Sequence, residues 1–384
     1  MSKNSLYFLS AKRTAFGANG GALKDLSPTD LGVHAAQAAL AQSGVSADQV
    51  DHVIFGNVLQ SAPDSIYAAR HIGLRCGVPI SVPALAINRL CGSGFQVIIE
   101  AYHQMLAGDT RLALVGGVEA MSMTPYVLRG ARFGLKMGHK QTEDMLTTSL
   151  FDSYAQAPMA ITAENLALQY EISREQCDAF ALSSQKKAHA ALSAGFLTDE
   201  IAPMAMLAQD EHPRADATAE GLAKLKPLFK KDGVVTAGNA SGIVDGGAAL
   251  VVANEEIAKK HKPLGRLISY GVSGCDPKIM GIGPVPAARQ ALERAGMKIS
   301  QMDLIEVNEA FAPQTLAVAK ELEIPLDRLN LQGGAIAIGH PLAASGTRLT
   351  MTALYALRRM KKRHALVSAC IGGGQGIALV LEAV

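Results

Sequence analysis

Residues 345–367, SGTRLTMTALYALRRMKKRHALV, restate residues 93–115, SGFQVIIEAYHQMLAGDTRLALV, at a constant offset of 252 positions. Ser93, Gly94, Arg111, Ala113, Leu114 and Val115 fall on Ser345, Gly346, Arg363, Ala365, Leu366 and Val367. Upstream, Ala35, Ala36, Ala39, Leu40, Gly44, Gln49 and Asp51 fall without a gap on Ala287, Ala288, Ala291, Leu292, Gly296, Gln301 and Asp303. One register held over roughly eighty positions is a duplicated domain, since stacked arrays repeat at much shorter periods. Matched positions then report the shared fold, and mismatched reactive residues report chemistry. Cys91 faces Ala343, His340 faces Asn88 and Cys370 faces Val118, so each of three reactive groups is present in one copy only.

Each copy alternates helix and strand. In the first, Thr29 or Asp30 is placed to cap a helix through LGVHAAQAALAQ, Gly44 ends it, and VDHVIFGNV follows as a strand. PAARQALERAG and MDLIEVNEA repeat this in the second copy. Further on, each copy has a Ser-Gly that opens a helix, followed by RLALVGG or RHALVSAC as a strand. Nearly continuous apolar strands flanked by helices predict a mostly parallel sheet covered on both faces, and two such units packed together. The second copy runs from ALVSAC through IGGGQG into GIALVLEA, whereas the first reaches its counterpart, GGAALVVANE, only after a long interruption. The predicted division is therefore residues 1–119 plus 245–266 as one repeat, 120–244 as an insertion and 267–384 as the other repeat. Met121, Met123, Met145 and Met159 near the start of the insertion, and Arg214, Lys224, Lys226, Lys230 and Lys231 toward its end, fit either core filler beside a solvated face or a lid with a patch for an anion.

The chain has 384 residues, 49% hydrophobic and 18% charged, with a formal net charge of +2. That balance fits a buried α/β enzyme and gives no electrostatic footprint for nucleic acid. No apolar run is long enough for membrane insertion, and MSKNSLYFLSAKRT lacks the apolar core of a secretory signal, which places the chain in the cytoplasm, with an organellar address as the alternative. Five cysteines without a CxxC pair argue for a reducing compartment and against a disulfide framework or zinc site, and the ten histidines show no metal-ligand spacing.

Cys91, in NRLCGSGFQ, precedes a helix start, where free amides and the helix dipole are expected to stabilise a thiolate and lower the pKa toward neutrality. His340, in GGAIAIGHPLAASG, lies three residues before the position matching Cys91, so a pseudo-twofold packing of the copies would let its imidazole take the thiol proton. Cys370 opens CIGGGQG at the carboxyl end of a strand, where a glycine run leaves amides free to face an oxyanion. The run lacks a P-loop ending, which disfavours phosphate binding. Asn308 and Glu309 end LIEVNEA, where an amide can orient a water or the His340 ring, or simply make a turn.

NRLCGSGFQ, VNEAFAP, GGAIAIGHP and CIGGGQG, in this order over the whole chain, resemble the thiolase family. The resemblance implies two βαβαβαββ domains in a five-layer α-β-α-β-α sandwich, with a loop domain inserted in the first. It implies thiolysis of 3-ketoacyl-CoA by CoA, or the reverse Claisen condensation, with CoA and acyl-CoA as substrates and no tightly bound cofactor. Carried onto this sequence, Cys91 takes the acyl group, His340 activates it, and Asn308 holds a water at the same oxyanion hole. Cys370 moves a proton on and off carbon, and the amides of Cys91 and Gly372 form a second hole. Met159, Ala240, Ser241 and Phe311 line the pantetheine channel, and the basic cluster with Arg214 and Lys224 faces the CoA phosphates. Asn308 and NEAF disfavour the ketoacyl synthases and the HDCF branch. Pro158, QAPMAITAENLA and SGCDPKIMGIGPVPA resemble the mitochondrial-type degradative thiolases rather than the biosynthetic acetyl-CoA acetyltransferases, while Ala343 and Gln332 depart from the usual glycine and asparagine. A homotetramer, paired through Tyr126 to His139, is also implied. Two rivals stand beside this reading: a Cys-His-Asn thioester hydrolase, which leaves Cys370 and the duplication without a role, and a non-catalytic acyl-CoA binding protein.

Overall fold

In the computed structural model, which describes residues 5–384, each repeat builds one half of a continuous sheet with helices on both faces. The first four positions of the expected first repeat, and of the segment read for a secretory signal, lie outside the described residues. The first half comprises β1 (Tyr7–Thr14), α1 (Pro28–Ser43), β2 (His52–Gly56), α2 (Ala68–Arg75), β3 (Ala84–Ile87), α3 (Ser93–Ala107) and β4 (Leu112–Ala120). A long connection then carries α4 (Met159–Gln169) and α5 (Arg174–Ser193) before β5 (Val244–Ala253) returns to pair with β4. The second half comprises β6 (Gly265–Gly274), α6 (Pro284–Ala295), β7 (Leu304–Val307), α7 (Ala312–Glu321), α8 (Leu342–Met360), β8 (His364–Ile371) and β9 (Gln375–Ala383).

The strand order is β7-β8-β9-β6-β1-β5-β4-β2-β3, and the halves join where Tyr7 pairs with Arg266 and Phe8 with Gly265. The expected mostly parallel sheet is in fact mixed. β2 runs parallel to β3 and β4, and β7 to β8, but β5 and β9 are antiparallel to both their neighbours. For β9 the cause is local: β8 turns directly into it through Gly373 and Gly374, at φ 80° and 81°, and a tight return of this kind can only be antiparallel.

Three apolar clusters define the layers. In the centre, Phe95, Ile98, Leu349 and Leu354 of α3 and α8 pack against Val115 and Leu250 on one side and Val367 and Leu379 on the other. Ala35, Ala39 and Ile72 cover the outer face of the first half, and Val285, Ala288 and Leu292 that of the second. The result is helix, sheet, helix, sheet, helix, the five-layer α/β order expected from the sequence.

α3 and α8 cross at the glycines the two copies share. A methyl on Gly94 would lie 2.5 Å from the Ala343 carbonyl oxygen, and one on Gly346 would lie 2.5 Å from the Phe95 nitrogen. Only residues without a side chain allow this approach, and it draws the amino ends of both helices together. The helix starts differ from expectation in detail. α1 is capped by Ser27, with Asp30 closing a capping box from the third helical position. α8 begins at Leu342, before its Ser-Gly, whereas the matching residues Leu90–Gly92 form a separate 3₁₀ turn ahead of α3. No helix among the described residues is long and apolar enough to cross a membrane.

Candidate active site

Cys91 sits in that 3₁₀ turn, directly after Leu90, whose φ of 48° places a branched side chain in the left-handed region. Such a conformation persists only where its surroundings hold it. Here Asn88 Oδ1 accepts from the Leu90 amide at 2.9 Å, while Ser93 Oγ accepts from the Arg89 amide at 2.9 Å and donates to the Leu90 carbonyl at 2.7 Å. Burial pushes the Cys91 thiol up to about 11, although the Gly372 amide and its own amide pull the other way. The expected thiolate near neutrality is thus corrected. The second repeat closes over the helix start and removes the water a thiolate needs, and this outweighs the amides.

His340 occupies the loop leading into α8 and is held from several sides. Its backbone N–H donates to the Gly242 carbonyl at 2.9 Å, tying it to the long connection. Two residues beyond Pro341, the Ala343 amide donates to Glu119 Oε2 at 3.1 Å, tying the same loop to the end of β4. Glu119 also accepts from the amides of Val58 and Leu59 and from Asn57 Nδ2, and burial raises its carboxyl to about 7. On the ring, Ser345 Oγ lies 2.6 Å from Nδ1 and donates to the Pro341 carbonyl at 3.1 Å, so it accepts from Nδ1–H. Nε2 then carries the lone pair, 3.3 Å from Asn308 Nδ2. Burial and, behind it, the positive charge of Arg348 lower the imidazole to about 3. Both shifts favour the neutral form, a thiol at Cys91 and an imidazole at His340.

Cys91, His340, Cys370, Gly372, Met159, Ser241 and Phe311 line one cavity of about 370 Å³. Asn308 is fully buried, touches the imidazole at Nε2 and does not itself line the cavity. Burial drives the Cys370 thiol far upward, reinforced by the neighbouring Cys91 and Cys275 sulfurs. Met159, Ser241, Phe311 and His340 are shared with a second cavity of about 630 Å³, which Ala240, Arg214, His212, Leu228 and Phe229 extend. Ala240 bridges to Phe311 and the Ser241 amide donates to the Ala310 carbonyl, which seats the long connection on the second repeat between the two cavities. Lys224 lines neither cavity: it ends the short helix Ala219–Ala223, exposed. A count of lysines in this segment carried no information on which way each one faces. Ser345, Glu119 and His212 were not singled out from sequence. Ser345 was visible only as a matched position, and nothing local marks Glu119 or His212.

Comparison with known proteins accords with this geometry. The family described as thiolase, N-terminal domain, matches residues 6–256, and thiolase, C-terminal domain, matches residues 261–383. The chain is 53% identical to a mitochondrial 3-ketoacyl-CoA thiolase from Homo sapiens, over 98% of both proteins. It is 46% identical to an acetyl-CoA acetyltransferase from Pseudomonas aeruginosa, over 97% of this chain and 98% of that one. The crystal structure of human mitochondrial 3-ketoacyl-CoA thiolase in complex with CoA superposes with a TM-score of 0.98 at 52% identity, covering 100% of this chain and 98% of the other.

Proposed function

The chain belongs to the thiolase family, and from that premise we propose that it cleaves 3-ketoacyl-CoA with CoA, giving acetyl-CoA and a shortened acyl-CoA through an acyl group carried on Cys91. The observation that carries this is the convergence of Cys91, His340, Cys370 and the Gly372 amide on one cavity, from loops that are remote in sequence.

His340 Nε2 takes the Cys91 proton as the sulfur attacks the 3-keto carbon, which spares the site a free thiolate at rest. The bond between carbons 2 and 3 then breaks, the acyl group stays on Cys91, and the acetyl-CoA carbanion takes a proton from Cys370. A thiol as reluctant to ionise as Cys370 is a proton donor at rest and, once deprotonated, a strong base. It therefore removes the proton of the incoming CoA thiol, whose sulfur attacks the thioester, and Cys91 leaves with the proton held by His340. The amides of Cys91 and Gly372 face one developing oxyanion, and protonated His340, with a water held by Asn308, faces the other. Condensation of two acyl-CoA molecules is the same path reversed.

The cavity extended by Ala240, Arg214, His212 and Phe229 is read as the CoA channel, with Arg214 as the cation nearest the phosphates. Closer identity to the 3-ketoacyl-CoA thiolase than to the acetyltransferase favours the degradative direction, in fatty acid β-oxidation. Tyr126, Phe133, Leu135 and Met137 expose 68%, 94%, 57% and 101% of their surface on one segment, an apolar patch suited to pairing dimers into a homotetramer. Five free thiols suit a reducing compartment, the bacterial cytoplasm or a mitochondrial matrix.

A series of 3-ketoacyl-CoA substrates from acetoacetyl-CoA upward tests the activity. Turnover that depends on free CoA and releases acetyl-CoA supports thiolysis, and free acid released without CoA would instead indicate a hydrolase.

A further inference from the structure

Behind His340 lies a group of buried polar atoms that the reaction above does not use. Glu306 and Arg348 are both fully buried, yet Glu306 Oε1 and Oε2 and Arg348 Nε, Nη1 and Nη2 have no protein hydrogen-bond partner. Asn308 Oδ1 is buried and unpartnered as well. These atoms belong together. Glu306 and Asn308 are two residues apart on an extended segment, where the Asn308 amide continues the ladder to the Ser368 carbonyl, so their side chains share a face. Ser345, which touches the imidazole, and Arg348 are three residues apart on one face of α8, which packs on β7. Glu306 and Glu309 from the β7 side, and Glu200 and Arg13 from the opposite side, are the charged groups around Arg348.

We propose that a chain of internal water molecules fills the space between Glu306 and Arg348, donates to Asn308 Oδ1, and thereby fixes which end of that amide faces His340. The chemistry of the lining selects water. Burial raises the Glu306 carboxyl to about 8, so its oxygens both donate and accept, while a lone cation would face the guanidinium and a lone anion would leave Asn308 Oδ1 without a donor. Only a small molecule that both donates and accepts satisfies such a set, and buried polar groups of this kind are regularly paired with ordered water. The consequence reaches the imidazole. No protein group holds Asn308 Oδ1, so without the water the amide is free to turn its oxygen toward Nε2. That would favour a proton on Nε2 and remove the lone pair that the proposed base needs. Glu306 and Arg348 are thus positioning residues that act through water and Asn308.

The inference rests on His340 being the base, but its tests do not depend on turnover. A crystal structure of the wild-type protein at about 1.2 Å or better should show ordered water bonded to Asn308 Oδ1 and to both charged groups. A direct guanidinium–carboxylate contact, with no water on Oδ1, would overturn the proposal and leave the thiolase reading intact. In solution, Arg348→Met should slow alkylation of Cys91 by iodoacetamide about tenfold at neutral pH. It should also move the NMR pH titration of the His340 ring upward, because the imidazole keeps its burial but loses the Arg348 charge that adds to it. Arg348→Lys should restore the rate to within about threefold. An Arg348→Met protein that folds and keeps the wild-type His340 titration would contradict the proposal. Should that variant not fold, the wild-type crystal structure still decides.

Discussion

Ser345 Oγ lies 2.6 Å from His340 Nδ1, and Ser93, its match in the other copy, uses the same hydroxyl to pin the turn that carries Cys91. One ancestral serine thus supports the nucleophile in one repeat and the base in the other. Because Ser345 donates to the Pro341 carbonyl, its remaining capacity is that of an acceptor, which favours the ring proton on Nδ1. Ser345→Ala should fold normally and lower kcat by about 10²-fold with a small change in KM. Steady-state kinetics, with circular dichroism as the control for folding, checks this. An unchanged kcat would remove Ser345 from the mechanism.

Cys91 held up to about 11 beside an imidazole lowered to about 3 implies that no ion pair exists at rest. The rate of Cys91 alkylation by iodoacetamide should accordingly climb by about tenfold per pH unit between 7 and 9, following the thiolate fraction. A plateau with a midpoint below pH 7 would show a thiolate–imidazolium pair instead.

Glu119 joins the Asn57–Leu59 segment to the His340 loop through four donors, and burial raises its carboxyl to about 7. A carboxyl whose folded pKa exceeds its unfolded value contributes stability that is complete below the unfolded pKa, near 4.5, and is lost as pH rises through about 7. Glu119→Gln turns an N–H toward those donors and should lower stability by about 0.5–1.5 kcal/mol for each neutral bond lost, read as a fall in Tm. The gap in Tm between wild type and variant should be widest near pH 5 and narrow toward pH 8. Calorimetry across that range tests the sign, and a gap that widened with pH would refute it.

Cys370 moves protons in the proposed cycle but forms no bond to the acyl group, and a CoA thiolate can leave without a proton donor. Cys370→Ala should therefore still accept an acyl group from acyl-CoA onto Cys91, while steady-state thiolysis falls by about 10³-fold. A burst measurement separates the two steps. Full turnover in this variant would assign the carbon proton to another group.

Much of this site was legible in the sequence because duplication provides its own control. Ala343 opposite Cys91, Asn88 opposite His340 and Val118 opposite Cys370 mark the departures, while Gly94 and Gly346 mark the crossing that brings them together. What escaped depends on long-range burial. The rise of the Cys91 thiol comes from residues hundreds of positions away that close over a helix start, and local dipole reasoning gives the opposite sign. Glu119 reaches Ala343 across 224 positions, and no local pattern reports it. The mixed sheet was written in the glycines after Cys370, which were read for their amides and not for the tight return they make.

Intact-protein and peptide mass spectrometry after brief exposure to a 3-ketoacyl-CoA, with free CoA withheld, tests the central claim most directly. A single acyl adduct should appear on the peptide bearing Cys91 and disappear when CoA is added, with the matching acyl-CoA released. An adduct on Cys370, or none at all while substrate is consumed, would contradict the account.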